Sequence, residues 1–179
     1  MKNILIVSSS LRTGSNSELL AQKVAEGAAE AGNHVTELSL KSKQINFCVG
    51  CLACQNTGAC VIRDDMDSMI HQVKNADVIV FATPVYYYGV SGQLKTFLDR
   101  CNPLYIAEYK FREVYLITAS AEDGDEVYQT THAGIQGWVD CFPKAVFRKT
   151  LSGGGLSNPN EASFNNALLQ QAYEMGKTI

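Results

Sequence analysis

Four of the six cysteines, Cys48, Cys51, Cys54 and Cys60, fall within thirteen residues. A C-x2-C-x2-C run with a fourth cysteine close behind suits an iron-sulfur cluster, a zinc ion or redox-active thiols, and the run alone leaves these open. Two further stretches carry chemistry of a different kind. Ser10, Arg12, Ser15, Asn16 and Ser17 lie between an apolar run at 4–7 and a helical pattern that follows. Free backbone N–H groups and the helix dipole favour an anion there, and hydroxyls with a single Arg suit a phosphomonoester. The loop contains neither G-x-x-x-x-G-K-[ST] nor G-x-G-x-x-G, so it carries no ATPase or dinucleotide fingerprint. The stretch 83–89, Thr-Pro-Val-Tyr-Tyr-Tyr-Gly, sets three aromatics where a flat ring can lie against them. Each loop has a plainer explanation, a capped helix start or an aromatic cover on a sheet end. Together they point to a mononucleotide with a planar base.

The elements that must position these loops are legible from periodicity. Residues 4–7 and 78–82 are short, continuously apolar runs of the kind found in strands buried on both faces of a parallel sheet. A second strand is expected at 35–40, a fourth at 114–118 and a fifth at 145–147. Between them, Leu20, Val24, Ala28 and Ala31 recur at helical spacing, as do Met66, Met69, Ile70 and Val73, then Leu94, Phe97, Leu98 and Cys101. Asp64 or Asp65 is placed to cap the second of these helices. A further helix carries Tyr128, Thr131, Ile135, Trp138 and Phe142 on one side, and Leu168, Leu169, Ala172 and Met175 mark a closing one. Five strands alternating with five helices predict a single α/β domain over 1–179. The expected architecture is a doubly wound parallel sheet, in the order 2-1-3-4-5 or a Rossmann-like one; the flavodoxin-like order is the one that the resemblance below implies. The loops after strands 1, 3 and 4 then converge at the carboxyl edge.

Three ordered motifs carry a resemblance: S-S-x-R-x-G-S-N-S after strand 1, C-x-G-C-x2-C-x5-C-x3-D-D-M after strand 2, and P-V-Y-Y-Y-G-x-S-G-x-L-K-x-F-L-D-R after strand 3. Together they resemble the flavodoxin-fold NAD(P)H-dependent FMN reductase family, closest in pattern to its iron-sulfur flavoproteins. The resemblance implies that Ser10, Arg12, Ser15, Asn16 and Ser17 hold the FMN phosphate. It implies that Pro84, Val85, Tyr86, Tyr87 and Gly89 embrace the isoalloxazine and that the loop at Ser120 closes its other side. It also implies a [4Fe-4S] ligand set at Cys48, Cys51, Cys54 and Cys60, a possible second redox centre beside the flavin. The activity it implies is FMN-dependent hydride transfer from NAD(P)H to a small acceptor such as flavin or a quinone, in a homodimer or homotetramer. An electron carrier reduced by a protein partner is the alternative.

Composition bounds the rest. A net charge of -3 and 18% charged residues argue against a nucleic-acid partner, and no run is long enough for a membrane span. A cytoplasmic protein with reduced thiols is the expectation. His34, His71 and His132 are scattered without metal spacing. Cys101 sits on an apolar helical stripe, and Cys141 near a helix end is expected to be structural. Asp99 and Arg100 are expected to form a local or interface ion pair.

Overall fold

A computed structural model describes all residues, 1–179. Strand β1 (Asn3–Ser8) leads to α1 (Asn16–Glu30), β2 (His34–Ser39), the short α2 (Ala53–Thr57) and α3 (Met66–Asn75). Then follow β3 (Val78–Pro84), α4 (Gly92–Asp99), β4 (Glu113–Ala119), α5 (Asp125–Asp140), β5 (Val146–Gly153) and α6 (Asn166–Lys177). All strand pairs are parallel and the order is β2-β1-β3-β4-β5, the expected flavodoxin-like topology.

The three central strands read as unbroken apolar runs because both faces are covered. Leu5, Val7, Ile79, Phe81 and Leu116 point into a core shared with α3, α4 and α5. Ile4, Ile6, Val78, Val80 and Ile117 point the other way, against α1 and α6. Burying each such side chain is worth about 1.5–3 kcal/mol, and a one-residue slip would exchange the two faces, so the register is held firmly. Helices α1 and α6 touch backbone to backbone. A Cβ on Gly27 would lie 2.0 Å from the Tyr173 carbonyl oxygen, and one on Gly176 would lie 2.1 Å from that of Val24. Only glycine permits this approach, and it fixes the axis of α1, whose amino end meets the loop after β1.

The fifth strand departs most from the sequence expectation. It runs over Val146–Gly153 rather than 145–147, through the polar residues Arg148, Lys149 and Thr150. Hydropathy hides it because it is an edge strand, and a register shift leaves Arg148 as an extra residue between Phe147 and Lys149. The Arg148 guanidinium reaches across to Glu113 at 2.9 Å. Helix α2 and two 3₁₀ turns, Asn102–Ile106 and Glu161–Phe164, were not apparent from periodicity, being shorter than its reach.

Candidate functional site

At the carboxyl edge, four loops surround an open cavity of about 180 Å³. The loop after β1 is shaped by its own hydroxyls. Ser15 takes an extended conformation as the N-cap of α1 and its Oγ accepts the Glu18 N–H at 3.3 Å. Its Oγ also lies 3.2 Å from that of Ser17, and both residues are buried. Ser10 Oγ accepts the Arg12 N–H at 3.3 Å. No protein acceptor pairs with the backbone N–H of Ser15, Asn16 or Ser17, which leaves three donors at a helix amino end.

The segment after β5 closes over this loop. The Asn16 side chain donates to the carbonyls of Leu156 (3.3 Å) and Asn158 (2.9 Å) and accepts from the Ala162 N–H at 3.0 Å. Those bonds commit its amide to the fold, so what Asn16 offers a ligand is its backbone N–H. Arg12 Nη1 donates to the Ser157 carbonyl at 2.9 Å, and its remaining N–H groups face an exposed setting.

The loop after β3 is a tight turn in which Tyr86 and Gly89 exchange both backbone hydrogen bonds at 3.0 Å. Tyr87 (φ 49°) and Tyr88 (φ 60°) occupy left-handed backbone, costly for bulky residues. A buried hydroxyl relay ties this loop to the first. Ser91, the N-cap of α4, donates to Ser9 Oγ at 2.9 Å, and Ser9 donates to the Ala82 carbonyl at 3.1 Å. The turn is tied to the loop after β4 by the Tyr88 hydroxyl, which donates to Glu122 Oε2 at 2.8 Å. That hydrogen bond and the carboxylate charge push the Tyr88 phenol up, so it stays a donor.

Nine of the eleven residues assigned to FMN by the sequence resemblance line this one cavity: Ser10, Arg12, Ser15, Asn16, Ser17, Pro84, Val85, Tyr86 and Ser120. Tyr87 and Gly89 do not. Tyr87 points fully into solvent, and Gly89 closes the turn. Ala119, Ala121, Leu156 and Ser157 also line it, and no motif in the sequence marks them. The Gly-rich stretch after β5 was the available signal for the last two, since every parallel strand ends at this edge.

With the cavity and topology in place, comparison with known proteins decides the family. Residues 2–137 match the family model for NADPH-dependent FMN reductase. The chain belongs to this family. An iron-sulfur flavoprotein of Methanocaldococcus jannaschii is 40% identical over 103 residues, covering 58% of this chain and 53% of that protein. One from Methanosarcina thermophila is 29% identical over 160 residues, covering 87% of this chain and 82% of that one. The chain thus spans about half the length of the first of these relatives. In fold, it is similar to an azoreductase from Bacillus anthracis, with a TM-score of 0.76 at 17% identity and 100% coverage of both chains.

The cysteine loop of this FMN reductase family member is a separate structure. Cys48 and Cys51 are exposed, Cys60 is half-buried and Cys54 is buried, and all four line one narrow gap of about 10 Å³. Burial pushes the Cys54 thiol up, and the neighbouring Cys60 adds to this. No three Cys, His, Asp or Glu side chains are grouped as a single metal ion requires. Four thiols around one gap match the donor set of a four-iron cluster.

Arg100 holds this loop, and here the expected ion pair is corrected. Arg100 pairs not with Asp99 but with Asp64, through Nη1–Oδ2 at 2.7 Å and Nη2–Oδ1 at 3.0 Å. Asp99 pairs instead with Lys95. The guanidinium also donates to the carbonyls of Asn46 (2.7 Å) and Ile62 (3.2 Å), so it grips both ends of the cysteine segment. Burial pushes the Asp64 carboxyl up, but hydrogen bonds from Arg100, Asn46 and Met66 outweigh it and hold the group at about 2. Of the two capping candidates, Asp65 takes the N-cap position of α3 without a side-chain cap bond, while Asp64 accepts the Met66 N–H through Oδ1 at 3.1 Å. Arg100 lies at the far end of α4 from the tyrosine turn, about 12 Å along the helix axis. The cysteines therefore flank α4 and share no lining residue with the carboxyl-edge cavity within this chain.

Cys101 is core, as expected, with burial pushing its thiol far up, whereas Cys141 is an exposed C-cap of α5. His132 bonds Thr150 Oγ1 through Nδ1 at 2.9 Å and packs on Phe147.

Proposed function

We propose that the carboxyl-edge cavity binds FMN and that the chain is an FMN-dependent oxidoreductase. In this reading it takes hydride from NADH or NADPH and passes electrons to a small acceptor such as free flavin, a quinone or another small aromatic. The observation that carries it is the lining itself: unpaired N–H donors, serine hydroxyls and one Arg, with no His, Asp, Glu or Cys. Such a site binds an anion and a ring but supplies no acid, base or nucleophile, so the chemistry must come with the ligand. When bound, FMN supplies a two-electron carrier able to accept hydride.

The protein's share is binding and orientation. The N–H groups of Ser15, Asn16 and Ser17, the hydroxyls of Ser10, Ser15 and Ser17, and Arg12 would hold the phosphate. Pro84, Val85 and Tyr86 would flank the ring on one side and Ser120 on the other. The enclosed volume is less than a whole nucleotide needs, which leaves part of the ligand in the open mouth, accessible to a nicotinamide. The whole chain, 1–179, acts in this reading as one FMN-binding domain in a cytoplasmic homodimer or homotetramer. Anaerobic mixing of the FMN-loaded protein with NADH or NADPH tests it, with bleaching of the flavin band expected. A flavin that stays oxidised with both donors but is reduced by a protein electron carrier would favour the electron-carrier alternative.

The second reading concerns the cysteines. A [4Fe-4S] cluster on Cys48, Cys51, Cys54 and Cys60 is supported by their common gap and by the 40% identity to an iron-sulfur flavoprotein. Iron and sulfide analysis of anaerobically purified protein tests it.

A further inference from the structure

Arg100 is only 2% exposed, yet its Nε–H has no hydrogen-bond acceptor, although the other donors of the guanidinium are engaged by Asp64, Asn46 and Ile62. A buried N–H of a charged group without a partner is costly and calls for one. Arg100 lines the same gap as the four cysteines, Cys60 among them. Two residues on, Asn102 Nδ2 donates to Cys48 Sγ at 3.6 Å. The turn that leaves α4 thus sets one donor on a cysteine sulfur and brings a positively charged side chain with an unpaired N–H to the same gap.

We propose that Arg100 and Asn102 are positioning residues for a [4Fe-4S] cluster in the cysteine loop, donating to the sulfurs of Cys60 and Cys48 and raising the potential of its one-electron couple. This rests on the cluster reading above. Four thiolates make the cluster anionic, and an added electron makes it more so. N–H···S hydrogen bonds and a fixed cation therefore favour the reduced state. Because Arg100 also ties both ends of the loop through Asn46 and Ile62, the residue that holds the loop in place is the one that sets its charge.

The test is a potentiometric titration of the reconstituted FMN-loaded protein, monitored by the electron paramagnetic resonance of the reduced cluster, with dithionite supplying the electron. Arg100→Lys keeps a cation opposite Asp64 but removes the Nε–H. Asn102→Ala leaves the Arg100–Asp64 pair untouched, so it remains a test even where the first variant fails to fold. Both are expected to lower the potential, Arg100→Lys by at least the tenfold change in reduced-to-oxidised ratio that equals 59 mV for one electron. Intact clusters with unchanged potentials in the foldable variants overturn the proposal alone. If wild-type protein binds FMN but takes up no iron and sulfide, the cluster reading fails and the proposal falls with it.

Discussion

Around the carboxyl-edge cavity the polar contacts are spread over four loops; around the cysteines they converge on one guanidinium. At the cavity, Val85 bonds Ala119, Ser120 bonds Gly153, Leu156 bonds Ser120 and Asn160 bonds Gly14, so each loop is held by the next. Losing one bond leaves the others in place. In the cysteine segment, Asn46, Ile62 and Asp64 all depend on Arg100, and removing it leaves a carboxylate 4% exposed without its cation. Distributed support should fail by degrees and a single buried clamp all at once, because the cost of an orphaned buried charge is not shared.

Arg100→Met should give the largest effect, a loss of about 3–5 kcal/mol in stability measured by denaturant unfolding. Pairing it with Asp64→Leu should restore much of that, since two apolar residues leave no charge unpaired. A double variant as unstable as the single one would break the contrast, by showing that the loop depends on something other than the ion pair.

Acid should act on the same clamp. The folded Asp64 titrates at about 2, below its ordinary 3.8, so its contribution is complete above pH 4 and is lost as pH falls toward 2. The magnitude is about 2 kcal/mol. Denaturant unfolding measured across that interval should show the loss. The cavity lining holds no carboxylate or histidine, so FMN binding in protein that remains folded should show no matching step beyond the phosphate's own titration.

Asn16→Ala should cost about 1–2 kcal/mol through its three lost bonds to the segment after β5, with a modest weakening of FMN binding followed by fluorescence. A collapse of folding in this variant would mean that the cavity has a clamp of its own. The smallest effect is expected for Tyr87→Gly. Relief of left-handed strain at φ 49° and the added chain entropy nearly cancel, leaving stability within about 1 kcal/mol and FMN affinity unchanged. Weaker FMN binding would place Tyr87 against the ring, as the sequence resemblance implies.

The contrast also explains what could be read in advance. The phosphate loop is local: Ser15 caps the helix that follows it, so residue types and the strand-loop-helix order were enough to place its parts. The turn at 86–89 was legible as a group of tyrosines, but which of them face the cavity depends on two left-handed residues that a run of identical side chains does not reveal. The grip of Arg100 on Asp64 spans 36 positions, beyond any local pattern. Asp99–Arg100 and Asp64–Asp65 each offered a plausible neighbour instead.

The sequence by itself determined the alternation of buried strands and amphipathic helices, and hence the doubly wound sheet, because periodicity records which faces are covered. It also determined which loops meet at one edge, since parallel strands all end there. Only the tertiary structure decided that the segment after β5 completes the cavity, that Asn16 is committed to holding it, and that the cysteines flank α4 under a buried guanidinium. Those outcomes depend on contacts between residues distant in the chain, where burial and orientation, rather than residue type, decide which partner is taken.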